Sequence, residues 1–271
     1  MRRLFDLVLA ATAAVALAFL LLPLLAVFLR VSPATLVDEL GTDAVRDALL
    51  VSLETSAIAH VFILAVGTPV AYLLATGRFK GRELLIAAID LPLVLPPAVA
   101  GIALLTAFGS RGLLGGTLSA FGVTVAFTQA AVVLAVIFVA SPFYLRQAIA
   151  SFQSVDQNLL AAARTLGAGP WRTFRRVALP LAGPGLGVGS SLAFARGLGE
   201  FGATIMFAGS LAGYTQTLPL AIYAELDQDF DAAIAIGALL VLVSVAILAA
   251  VKLLPSWSSS SPFRFAPSRS S

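Results

Sequence analysis

The chain has no cysteine, which removes disulfides, thiolate metal sites and thiol nucleophiles together. Histidine occurs once, at His60, and no cluster with metal-ligand spacing surrounds it. Ser56 lies one helical turn away, an arrangement that fits packing or capping better than a catalytic dyad, and no oxyanion-hole pattern accompanies it. Charge is scarce. Asp, Glu, Lys and Arg make up 11% of the residues, against about a quarter in soluble domains. With 59% hydrophobic residues and a mean hydropathy of +0.99, a solvated globule is excluded. A phosphate loop of the form G-x-x-x-x-G-K-[ST] is also missing, so any ATP this chain depends on must be held by another polypeptide. Neither long charge blocks nor aromatic–basic interleaving points to nucleic acid.

What the chain does have is long apolar runs, at 4–29, 48–74, 84–108, 125–149, 181–207 and 232–254. Crossing a bilayer takes roughly 20 helical residues, and the alternation expected of a transmembrane barrel is missing. The reading is an all-α membrane protein with six spans, because helices satisfy their own backbone in lipid. Basic residues fix its orientation. Arg2 and Arg3 precede the first run, Arg78, Lys80 and Arg82 crowd the second loop, and Arg146, Arg164, Arg172, Arg175 and Arg176 lie in or beside the fourth. Lys252, Arg264 and Arg269 close the chain, whereas the other loops carry only Arg30, Arg46 and Arg111. This bias places both termini and segment 156–180 in the cytoplasm. The first run is longer than the roughly 7–15 apolar residues of a cleavable leader, so residues 1–30 read as a retained first helix. The Ser-rich tail, 256–271, is expected to be disordered.

Segment 156–180, DQNLLAAARTLGAGPWRTFRRVALP, is polar, basic and helix-forming, so it must lie on a membrane face. Ser154 and Gln157 suit a capping box. Leu159, Leu160, Ala162, Ala163 and Leu166 form an apolar stripe. Gly167 suits a left-handed C-terminal stop, and Pro170 the first turn of a second helix in which Trp171 and Phe174 share a side. Such a helix–turn–helix either presses into a partner's groove or rests on lipid headgroups as an amphipathic connector.

The spacing here resembles the ATPase-docking loop of ABC import permeases, which reads Glu-Ala-Ala, three residues, Gly, nine residues, a β-branched aliphatic, one residue, then Leu-Pro. The matching residues are Ala161-Ala162-Ala163, then Gly167, then Val177-Ala178-Leu179-Pro180. The family's Glu is Ala161 here, which removes either a charged contact with the ATPase or a local pair within the loop. The resemblance implies a type I ABC importer permease fold with six transmembrane helices. It implies a core over 48–251, and a cytoplasmic docking loop that includes Leu160, Ala161, Ala162, Ala163, Arg164, Gly167, Ala168, Pro170, Leu179 and Pro180. It also implies a homodimer in the cell inner membrane, two ATPase subunits that bind MgATP, a periplasmic or lipid-anchored solute-binding protein, and no cofactor or catalytic residue in this chain.

Further stretches are similar to the molybdate branch of that family. They are DLPLVLPPAVAGIALLTAFGSRGLLG from Asp90, and GEFGATIMFAG followed by TQTLPLAIY. They imply a molybdate path by alternating access, with tungstate or sulfate as the alternative cargo. Pro92, Pro96 and Pro97 within the third run read either as a packing kink or as a broken helix at the conduit. Arg196 and Glu200 are one turn apart, so they share a helix face and can pair, either as a structural ion pair or as a gate element beside Phe201. Gly197, Gly199, Gly202 and Gly209 permit close helix approach, at a dimer interface or a sliding gate. Glu225, Asp227, Asp229 and Asp231 make an acidic loop, suited to docking a delivery protein or simply to facing water. An ion-coupled carrier using Glu54, Asp90 or Glu200 is the rival transport class, although no inverted repeat is evident.

Overall fold

The structure is a computed structural model that describes residues 2–253. Every regular element among them is helical. In chain order these are α1 (Arg2–Arg30), α2 (Pro33–Leu40), α3 (Asp43–Thr76), α4 (Arg82–Val94), α5 (Pro97–Phe108), α6 (Gly115–Ala120) and α7 (Gln129–Gln153). They continue with α8 (Gln157–Thr165), α9 (Pro170–Thr173), a π-turn (Phe174–Ala178), α10 (Leu179–Leu198), α11 (Gly202–Ala208), α12 (Leu218–Glu225) and α13 (Phe230–Leu253). The Ser-rich tail lies outside the described residues.

Five helices, Arg3–Arg30, Asp43–Thr76, Gln129–Gln153, Pro170–Leu198 and Phe230–Ile247, are long and apolar enough to cross a membrane. The expected third span is different. It is a pair, α4 and α5, bent by 116°. Pro92 is absorbed inside α4, but the adjacent prolines end the helix. A residue before proline is pushed out of the helical region, and here that happens twice: Leu95 has ψ 132 and Pro96 ψ 136. The expected fifth span is also divided. α10 stops at Leu198, so residues 202–207 fall in the separate α11.

The described residues form two compact units, 2–52 with 210–243, and 53–209 with 244–253. The first unit has its core at Val45, Ala48, Leu218, Ala221, Ile236 and Leu239. There the buried Ser52 Oγ accepts from the Leu218 N–H at 2.7 Å, filling an orphan donor at the start of α12. The described side chains of α1 are exposed from Arg3 through Leu25, so its Leu and Phe residues are left for lipid.

In the second unit α7 is the central post. One core gathers Ile63 and Leu74 of α3, Tyr144 and Phe152 of α7, and Leu160, Ala178 and Leu186. Another gathers Ala100 and Leu104 of α5, Ala131 and Val139 of α7, and Ala203 and Phe207 of α11. Small residues set the close crossings. A Cβ at Gly197 would come within 2.8 Å of Val136, and one at Gly101 within 2.6 Å of the Ala203 carbonyl. Gly202 likewise meets Pro97, at 2.5 Å. Two of the glycines considered for an interface or gate, Gly197 and Gly202, are therefore used in packing inside this unit.

Candidate functional site

Segment 156–180 is built as a rigid elbow. The capping-box expectation fails, because α8 is capped by Asp156, whose side chain accepts from the Asn158 N–H at 2.8 Å. Ser154 instead ends α7 and donates to the Ser151 carbonyl at 2.8 Å. Asp is as good a cap as Ser, and here it sits one step before the helix proper. At the other end Gly167 has φ +81. The Ala168 N–H bonds to the Ala163 carbonyl and the Gly167 N–H to the Arg164 carbonyl, both at 3.0 Å. This crossed pair is a Schellman turn, and it needs a residue without a Cβ penalty at Gly167.

The expected apolar stripe is split between two surroundings. Leu160 is 2% exposed, inside the chain's own core, whereas Leu166 is 88% exposed. Leu159 and Trp171 are exposed as well, and Ala161, Ala162 and Arg164 are open to solvent. Leu160 therefore anchors the helix and cannot itself reach a partner. The second arm is fixed by a ring cluster: Phe174 lies 4.8 Å from Tyr72, 6.2 Å from Phe152 and 5.6 Å from Trp171 between centroids. Thr173, fully buried, donates from its N–H to the Gly169 carbonyl at 2.9 Å. Pro180 has no N–H to offer the Arg176 carbonyl and its ring crowds that oxygen. The π-turn just before it widens the chain there, with the Leu179 N–H bonding to the Phe174 carbonyl. The arm then runs without a break into α10. Beside the elbow, the basic loop with Arg78 and Lys80 and the first residue of α8, Gln157, line an open cleft of about 810 Å³.

A second constellation sits at the bend between α4 and α5. Pro92, Leu95, Pro97, Val139, Phe143 and Arg196 line a cavity of about 130 Å³. Arg196 Nη2 lies 2.6 Å from Glu200 Oε2. The pairing expected of these residues forms, but not on one helix face, since Glu200 lies past the end of α10 in the break before α11. Its side chain is 1% exposed, and its Oε1 accepts from the Ala203 N–H at 2.7 Å, capping α11. Phe201 is the N-cap residue of α11 and Pro96 that of α5. Pro97 and Arg196 are thus brought to one cavity, with Glu200 behind the arginine.

One pair was not foreseen. Arg146 Nε and Nη2 donate to Asp90 Oδ1 and Oδ2 at 2.5 and 2.7 Å, a two-pronged bridge from α7 to α4. The signal was in the sequence: opposite charges in apolar spans usually answer one another. Reading Arg146 only as a topology marker hid it. Two of the three carboxylates considered for proton relay, Asp90 and Glu200, are committed to arginines. His60 pairs with Ser190 rather than Ser56, Nε2 to Oγ at 2.9 Å, and packs edge-on against Phe194. In the acidic loop, Asp229 Oδ1 accepts from the Asp231 and Ala232 N–H groups, both at 3.0 Å. It caps α13, a task in which the side chains of Glu225, Asp227 and Asp231 take no part.

Comparison with known proteins agrees with these features. The chain is 45% identical over 233 residues to the molybdenum transport system permease protein ModB of Mycobacterium tuberculosis, covering 86% of this chain and 88% of that one. It is 46% identical over 183 residues to the protein of the same name from Escherichia coli, covering 67% and 80%. Its fold matches a chain of a bacterial alginate ABC transporter, crystallised with an alginate pentasaccharide-bound periplasmic protein, with a TM-score of 0.75, 19% identity and 92% coverage of each chain. The family described as binding-protein-dependent transport system inner membrane component matches residues 67–257. With its membrane helices and this match over most of its length, the chain belongs to that family of transport permeases.

Proposed function

We propose that this chain is the permease of an ATP-driven importer for molybdate, working as a homodimer. Two ATPase subunits would bind MgATP beneath it, and a periplasmic or lipid-anchored molybdate-binding protein would deliver the anion. Both termini and the elbow face the cytoplasm in this reading, as the loop charges require. The observation that carries it is the elbow itself. A Schellman turn at Gly167 presents Leu159, Ala161, Ala162 and Leu166 outward while Leu160 holds the helix to the bundle. An exposed apolar ridge on a rigid support suits a partner's groove, and a headgroup connector would not need that rigidity. The cargo is inferred from the molybdenum transport relatives.

Gly167→Leu tests the docking. An added Cβ meets open space, but leucine at φ +81 costs about 1–2 kcal/mol in backbone strain, so the turn loses its shape while the spans remain. The variant should insert at normal yield, lose co-purification with the ATPase subunit and lose ATP-dependent molybdate uptake. Full uptake would contradict the assignment.

A further inference from the structure

The bend between α4 and α5 joins three features that packing alone does not require together. Successive prolines force the chain extended there, a cavity opens beside them, and a guanidinium lines it. Arg196 is 29% exposed, while its partner Glu200 is almost wholly covered. The carboxylate therefore stands behind the arginine, leaving guanidinium N–H groups free to face the cavity, since the group has five donors in a fixed fork. Along α7, Val139 and Phe143 line the same cavity. Arg146 follows Phe143 by about one helical turn and is 61% exposed although it holds Asp90. Two arginines, each tethered by its own acid, thus stand at different depths along one wall of the second unit.

We propose that Arg196, with Glu200 behind it, is a weak oxyanion station in the permease, and that Arg146 with Asp90 is the next one towards the cytoplasm. The inference rests on the importer reading above and adds the residues that would meet the anion. The tethering acids have a physical purpose in such a path. A bare arginine in a low-dielectric cavity would hold a dianion too firmly to release it. A paired arginine offers hydrogen bonds with its charge largely balanced, and passage requires binding that favours entry yet permits exit. Planar N–H pairs also match tetrahedral oxyanions, whereas a wholly apolar bend would reject them.

The test uses the full assembly of permease, ATPase and binding protein in liposomes. Uptake of labelled molybdate and of labelled sulfate is measured per ATP hydrolysed. Arg196→Gln should lower the anion carried per ATP by about tenfold or more, the order of one lost charge-assisted hydrogen bond. Arg196→Lys, which keeps the charge without the fork, should fall between that variant and the wild type. An unchanged ratio in Arg196→Gln would overturn the station. So would a ratio restored to wild type by Arg196→Met, since an apolar filler can replace packing but not N–H groups. If the wild type carries sulfate and not molybdate, the cargo assignment fails, while a lower sulfate ratio in Arg196→Gln would still support the station.

Discussion

Leu160 and Leu166 belong to the same short helical segment but meet opposite surroundings, one in the core and one in the open. Truncating each separates anchoring from docking. Leu160→Ala removes a fully buried side chain, a change that costs about 2–5 kcal/mol in packed cores. It should lower the melting temperature of the permease in detergent. Leu166→Ala removes nothing the chain itself uses, so melting should stay put while affinity for the ATPase subunit drops several-fold. Equal melting of both variants would remove the anchor role of Leu160. The turn at Gly167 was legible beforehand because few residues accept a positive φ. The cap was misread because Ser154 and Asp156 are both good N-caps, and only the three-dimensional end of α7 decides between them. Which leucine faces inward was also not legible, since the stripe runs along a helix with different neighbours at each end.

At the scale of elements, the bend between α4 and α5 follows from paired prolines and could be anticipated as a break. Its 116° could not, because the angle depends on what α5 packs against. That packing is glycine-mediated. Gly101 lies against Ala203 and Met206, and Gly202 against Pro97. Gly187, in α10, has open space where a Cβ would go. Gly101→Val should therefore push α5 from α11 and sharply reduce the folded yield and melting temperature. Gly187→Ala should leave melting unchanged or slightly raised, since alanine gains about 1 kcal/mol over glycine in a helix. Comparable losses in both would show that these crossings are looser than drawn. Sequence reasoning could name the glycines but not assign them, because close approach inside a chain and between chains uses the same residues.

For the whole molecule, the bias of Lys and Arg among the loops is the property on which the proposed orientation rests. Asp229 is occupied in capping α13, so a charge reversal there would mix loss of docking with loss of the cap. Asp227 is exposed and free of that confusion. Asp227→Lys should weaken association with the delivery protein several-fold, measured by co-elution in detergent, and unchanged co-elution would take the acids out of that interface. The spans were largely legible because hydrophobic length is a property of composition. The internal ion pairs were not, because partners such as Asp90 and Arg146 are brought together only by folding.

The uninterrupted run from the π-turn into α10 makes the elbow one end of a rod whose other end carries Arg196. At 1.5 Å per residue the run from Phe174 to Arg196 is roughly 33 Å long, so a tilt of about 10° at the elbow end sweeps the far guanidinium through about 6 Å. A displacement of that size exceeds the reach of a hydrogen bond. In the proposed importer, a single stroke of the ATPase would therefore break the hold of Arg196 on the anion with no further moving part.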